Sequence, residues 1–292
     1  MCCNTTMYGS VGAMQLHATG THITTRQEQH KMAPRPQLSH SHNHKHSNYF
    51  FSRFLLLICL LLIFIGLLSI SQTLQAQSCK LPDHAATDYD FDMATDSFGP
   101  NPDASTDYYK MAVNWSEDYC KRININLATE TDPSKLEKLQ RDNEFQCFSK
   151  QNFGWVLHGV WASSCDGKSL GRCTDLKEIK KHPRFCAGDL PALPYADIEP
   201  YLCMSPSAAL LQAEWEKHGA CDFNSATAYF EKSQQLFTAL RYPPRNMSHK
   251  QLDRWMKQNN PPLANKRLLY RGSEMYICYN TNFELISCPR RN

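Results

Sequence analysis

Apolar and polar positions alternate through Tyr108–Trp115, where Tyr109, Met111, Val113 and Trp115 share one side. That period of two predicts a strand. The same period in Phe153, Trp155 and Leu157 predicts a second strand from Phe153 to His158. In the tail between Arg267 and Cys288, the runs 274–279 and 282–287 flank the turn-prone pair Asn280 and Thr281. They predict a hairpin that brings Cys278 near Cys288. Helical signals come between these strands. Asp132 followed by Pro133 opens a helix reaching about Asn143. Ser205 and Pro206 open another, which Gly219 closes. A third runs from about Ser225 to Leu240, with Tyr229, Phe230, Leu236, Phe237 and Leu240 as its apolar stripe. Ser248 and Gln251 form a capping box for a helix that ends before Pro261. Residues 163–204 are rich in Cys, Gly and Pro and have little periodicity, so they read as a disulfide-tied loop region. Strands and helices do not alternate regularly. The expected class is therefore α+β: a central antiparallel sheet with flanking helices in one disulfide-stapled domain.

The longest apolar run, Phe54 to Ile70, fits none of these amphipathic patterns. It holds seventeen residues without a charge, follows Arg53 and leads into Gln75, Ala76, Gln77 and Ser78. Basic flank, apolar core and small-residue exit make a secretory signal with cleavage expected near Ala76. A retained anchor is the alternative, because about 20 apolar residues span a membrane. Residues 1–53 read as a disordered polar extension, with a His-rich tract from Ser39 to Ser47 and a second candidate start at Met32, where translation is expected to begin. Residues 77–104 read as a loosely ordered arm, and 105–292 as the main folded domain.

This division changes the totals. The chain has 292 residues, 13 cysteines and a formal charge of +3. Five basic residues, one acid and Cys2, Cys3 and Cys59 precede residue 77. The remainder carries 26 basic and 27 acidic groups, a net of −1, and an even ten cysteines. An even set fits up to five disulfides in an oxidising compartment, so the chain is expected to be secreted or periplasmic. Two pairings stand out, Cys278 with Cys288 and Cys120 with a partner in the N-terminal half.

Candidate chemistry sits on two elements. Glu214, Lys217 and His218 are spaced i, i+3, i+4, which puts them on one face of the helix ending at Gly219. His158 closes an apolar strand. For an ordinary helix and a lone histidine, a solvated Glu–Lys pair and a satisfied core imidazole would explain both. Two histidines from different elements are also what a two-proton transfer requires, one neutral and one protonated. Lys and Glu beside them can stabilise a phosphorane, which suits in-line phosphoryl transfer without metal.

The segments Leu157-His158-Gly159-Val160-Trp161 and Glu214-Trp215-Glu216-Lys217-His218-Gly219-Ala220-Cys221 strongly resemble the two active-site blocks of the ribonuclease T2 family. Those blocks read roughly His-Gly-Leu-Trp-Pro and His-Glu-Trp-x-Lys-His-Gly-Thr-Cys. The resemblance extends to Trp115-Ser116-Glu117-Asp118-Tyr119-Cys120 and to the C-terminal cysteine pair, covering most of 105–292. It implies an endoribonuclease that cuts single-stranded RNA by transesterification, with a 2′,3′-cyclic phosphate product and no cleavage of DNA. It implies that His218 takes the proton of the ribose 2′-hydroxyl and His158 protonates the leaving 5′-oxygen. Glu214 and Lys217 would stabilise the pentacovalent state, and Trp161 would stack a base. It also implies a bond from Cys221 to a cysteine of the 173–203 loop. Three positions depart from the family: Ala162 for Pro, Ala220 for Thr, and Ala213 for a histidine thought to contact phosphate. Ala213 favours the rival reading, an exported RNA-binding or interaction module with weakened catalysis.

Zinc is the other rival for so many Cys and His. Residues 77–292 contain no Cys-x-x-Cys pair, and Glu214 with His218 lacks the two-histidine spacing of zinc hydrolases. No metal or cofactor is expected, and the chain is expected to act as a monomer. Asn114 and Asn246 begin glycosylation sequons.

Overall fold

The computed structural model describes residues 79–291, all within one compact unit spanning Gln75–Asn292. The polar extension, the Met32 start, the His-rich tract and the signal segment lie outside the described residues. In chain order the strands are β1 (Tyr108–Trp115), β2 (Trp155–Ser163), β3 (Thr174–Asp175), β4 (Leu269–Arg271), β5 (Glu274–Tyr279), β6 (Leu285–Ile286) and β7 (Arg290–Arg291). The α-helices are α1 (Ser116–Thr129), α2 (Pro133–Asp142), the single turn α3 (Tyr195–Ile198), α4 (Ala208–Lys217), α5 (Ala226–Thr238) and α6 (His249–Asn259). The expected α+β class holds. Strand β1 lies between β2 and β5, while β4 and β6 pair with β5, and every pairing in this sheet is antiparallel. Strands β3 and β7 form a separate two-stranded parallel ladder.

One sheet face, with Met111, Val113, Leu157, Val160, Met275 and Ile277, packs on Leu211 and Trp215 of α4, Tyr229 and Phe230 of α5, and Met256 of α6. Full burial of such a side chain contributes about 1.5–3 kcal/mol. The opposite face carries a smaller cluster built from Tyr108, Ala112, Tyr276 and two disulfides.

Strand β2 differs from the expected 153–158. It starts at Trp155 and continues through Gly159 to Ser163. Val113 pairs with Leu157 and Ala112 pairs with Gly159, so His158 is an extra residue in a β-bulge. A bulge reverses the side-chain alternation beyond it. Trp155 and Leu157 face the core before it, Val160 and Ala162 after it. Alternation read from the sequence stops at His158 for this reason. Helix α1 was not signalled either. Ser116 and Ile123 are its only buried residues and Ile125 lies exposed, so it has no apolar stripe. Its capacity to form comes from acids in the first turn, Glu117 and Asp118, and from packing on its neighbours.

All ten described cysteines pair: Cys79–Cys203, Cys120–Cys147, Cys165–Cys173, Cys186–Cys221 and Cys278–Cys288. The expected Cys278–Cys288 bond and the link from Cys221 into the 173–203 loop are present. The loop region is also held by a buried ion pair, Lys110 Nζ to Asp175 at 3.0 Å. Of the two sequons, Asn114 is buried within β1 and is inaccessible to a glycosylating enzyme in the folded chain, while Asn246 is exposed. Among the described residues no helix is long and apolar enough to cross a membrane.

Candidate active site

The bulge puts His158 and Trp161 on the sheet face opposite the main core. Strand β2 is an outer strand, and α4 packs against it. From α4 the buried Glu214 reaches both residues. Its Oε2 accepts from Trp161 Nε1 at 2.7 Å, and its Oε1 lies 3.5 Å from His158 Nε2. A Cβ added to Gly159 would sit 1.8 Å from Glu214 Oε2, so only glycine leaves room for that carboxylate.

Helix α4 is shorter than expected. Ser207, not Ser205, caps it, and it ends at Lys217. His218 has φ −130° and lies outside the helix, which corrects the expectation that it shares a helical face with Glu214. The turn that follows carries it to Trp161, and the ring centroids are 5.6 Å apart. The His158 ring stands edge-on to the same indole at 5.1 Å. Trp161 is therefore in ring contact with both imidazoles. Gly219 makes this turn possible, since a Cβ there would meet Trp215 at 2.6 Å and Tyr229 at 2.7 Å. The turn is fastened to the loop by Cys186–Cys221 and by Phe185 N–H donating to Lys217 C=O at 3.2 Å.

The two imidazoles have opposite electrostatic surroundings. Burial alone would disfavour the charged form of His158, but the Glu274 hydrogen bond and the nearby Glu214 carboxylate outweigh it and hold its pKa above the usual value. His218 has no such partner. Its Nδ1 is buried without a hydrogen bond, and burial, then Arg184 and Lys217, push its pKa well below the usual value. Burial also raises the Glu214 pKa, with His158 and Lys217 opposing it.

Lys217 does not touch the imidazoles. Its ammonium lies 3.5 Å from Asp96 and 3.8 Å from the Phe91 ring centroid. Both belong to the segment read as an arm. Asp96 is also paired with the buried Arg184 at 2.7 Å. Those arm residues carried no periodic signal. Glu274 and Tyr276 of β5 were also missed as site residues. Their spacing on a predicted strand was the available clue, since a carboxylate and a phenol two apart share a face. Ala213 is buried on α4. Among the described residues no cluster of His, Cys, Asp and Glu could hold a metal ion.

Two imidazoles of opposed protonation tendency beside a buried carboxylate form a constellation able to give and take protons in one reaction. Residues 106–260, just over half of the chain, match the model of the ribonuclease T2 family. A protein of Haemophilus influenzae described as a probable ribonuclease is 39% identical over 218 residues, covering 75% of this chain and 74% of that one. The chain belongs to the ribonuclease T2 family. Among solved structures, an RNase-related protein from Calystegia sepium is similar to it at 17% identity and TM-score 0.43, covering 64% of this chain and 93% of that one. Trichomaglin, described as an S-like ribonuclease, is similar at 15% identity and TM-score 0.41, covering 64% of this chain and 94% of that one.

Proposed function

We propose that the chain is an exported endoribonuclease that cleaves single-stranded RNA by transesterification. The observation that carries the reading is the pair of imidazoles beside Trp161 with opposed protonation tendencies. His218, held neutral, accepts the proton of the 2′-hydroxyl. The 2′-oxygen attacks phosphorus and the bond to the 5′-oxygen breaks. His158, held protonated, donates its proton to that oxygen. The products are a 2′,3′-cyclic phosphate and a free 5′-hydroxyl. Glu214, buried between His158 and Trp161, and the positive field of Lys217 act on the charge that develops at phosphorus. Trp161 supplies a stacking surface worth about 1–3 kcal/mol per base. DNA lacks the nucleophile and is not cut. No metal takes part, and the enzyme acts as a monomer. Five disulfides fit an oxidising compartment, secreted or periplasmic, and 105–292 with its arm forms the catalytic unit.

Digestion of RNA in EDTA with analysis of product ends tests the reading. Cyclic phosphate ends are expected, and activity lost in EDTA and restored by zinc refutes the metal-free route. His158→Ala and His218→Ala should each lower the rate by about 10²–10⁴-fold. Binding of RNA without cleavage by the unaltered protein would favour the weakened module that Ala213 suggests.

A further inference from the structure

Glu274 lies outside the segment that matches the family model, yet it makes the shortest polar contact to a site histidine. Its Oε1 is 2.6 Å from His158 Nδ1, the length of a charge-assisted bond. The other carboxylate oxygen accepts the Tyr276 hydroxyl. Both residues stand on β5, two positions apart and therefore on one face. On β1 they are paired with Asn114 and Ala112, and Ala112 is also paired with Gly159 of β2. The chain Tyr276, Glu274, His158 thus runs across three neighbouring strands. The Tyr276 ring also rests 5.7 Å from Trp161. Behind Glu274, Arg122 of α1 donates to Ser273 and contributes a positive field.

We infer that Glu274 is a positioning residue for His158, accepting the Nδ1 proton so that Nε2 carries the transferable proton on the side facing Glu214, with Tyr276 fixing the carboxylate in turn. This rests on His158 being the general acid. The other histidine supplies the contrast, because its Nδ1 is buried without a partner. A carboxylate at Nδ1 fixes the tautomer and ring orientation and favours the imidazolium. The charged groups acting on His158 are Glu274 from β5 and Glu214 and Lys217 from α4. Tyr276 reaches it through Glu274, and Arg122 acts on Glu274. Burial disfavours the charged form of both groups. At His158 the two carboxylates outweigh burial and the Lys217 ammonium and hold it above the usual histidine range. At Glu274 the His158 bond and charge, then Tyr276 and Arg122, outweigh burial and hold it below the usual carboxylate range.

The test is the pH dependence of kcat/KM for Glu274→Gln, Glu274→Ala and Tyr276→Phe on an RNA substrate. The general acid must be protonated, so its pKa sets the alkaline limb. Removing a charge in contact with it should move that limb down by about one pH unit or more in both Glu274 variants. At pH values above the new limb the rate should fall about 10–100-fold, with KM nearly unchanged. Tyr276→Phe should shift the limb in the same direction by less. A two-dimensional NMR titration of His158 in Glu274→Gln should show the same fall without reference to activity. In a His158→Ala background, Glu274→Gln should change the rate little. An unmoved alkaline limb and an unmoved His158 titration in folded Glu274→Gln overturn the inference. If His158→Ala itself keeps the unaltered rate, the acid assignment fails instead, whatever Glu274→Gln does.

Discussion

Replacing Gly159 by alanine adds one methyl group and asks whether Glu214 acts from where it lies. Gly159 has no left-handed φ, so the backbone accepts alanine, and the consequence is steric. The new Cβ would sit 1.8 Å from Glu214 Oε2 and 2.9 Å from Trp161 Nε1. Ordinary contact needs about 3.4 Å or more, so the carboxylate must retreat by about 1.5 Å. That movement breaks the 2.7 Å bond from Trp161 and opens the 3.5 Å approach to His158. A hydrogen bond to a charged group is worth about 1.5–3 kcal/mol. Losing it from the reacting state lowers kcat/KM by roughly 10- to 150-fold. The assay is initial-rate cleavage of an RNA oligonucleotide at fixed salt, with a urea melt to confirm folding. Gly171→Ala is the control, since nothing lies within 4 Å of an added Cβ there. In a Glu214→Ala background only the 2.9 Å approach to Trp161 Nε1 remains, so Gly159→Ala should cost much less there, a non-additive cycle. A Gly159→Ala enzyme that folds and cleaves at the unaltered rate would refute the placement of Glu214.

Three further predictions concern the scaffold. His182 accepts from Ser164 N–H at its Nδ1, and burial followed by Lys110 lowers its pKa to about 4. The unfolded chain takes up a proton there near pH 6.5, so stability falls as pH drops from about 6.5 to about 4. Urea melts should show His182→Gln losing about 3 kcal/mol less over that window, and identical pH dependence counts against it. Cys186→Ser with Cys221→Ser opens a link spanning 35 residues and should cost about 4 kcal/mol by chain entropy, read from the shift in urea midpoint. Asp175→Asn leaves Lys110 buried and unpaired and should cost about 3–5 kcal/mol. An unchanged melting temperature would show that the pair is dispensable.

Much of the scaffold was legible where a local signal decides structure. Strand β1 follows its alternation residue for residue, and Asp132, Ser225 and Ser248 mark the helix starts observed. Helix α1 was hidden because its stability comes from packing and not from an apolar stripe. The end of α4 was hidden because Gly219 is compatible with stopping at 217 or 218. The residues drawn together at the site were those in dense motifs, His158, Trp161, Glu214 and His218. Lys217 is adjacent, but its contacts are Asp96 and Phe91. Glu274 was missed because its partner lies 116 positions away, and no period or spacing encodes a contact made across three strands.

The extra residue in β2 also bears on transplanting this chemistry. His158 and Trp161 copied onto a regular two-residue repeat could not reproduce the arrangement. His158 and Trp161 are an odd number of positions apart, so on an uninterrupted strand one of them would face the opposite side. A designer would have to carry the irregular backbone along with the residues, together with a glycine beside it. Deleting one residue there would restore regular alternation with Val160 and Ala162 still inward and Trp161 still outward, and would cost either the imidazole or the glycine that leaves room for Glu214. The portable unit is therefore the deformed strand itself, and the imidazole and indole are passengers on it.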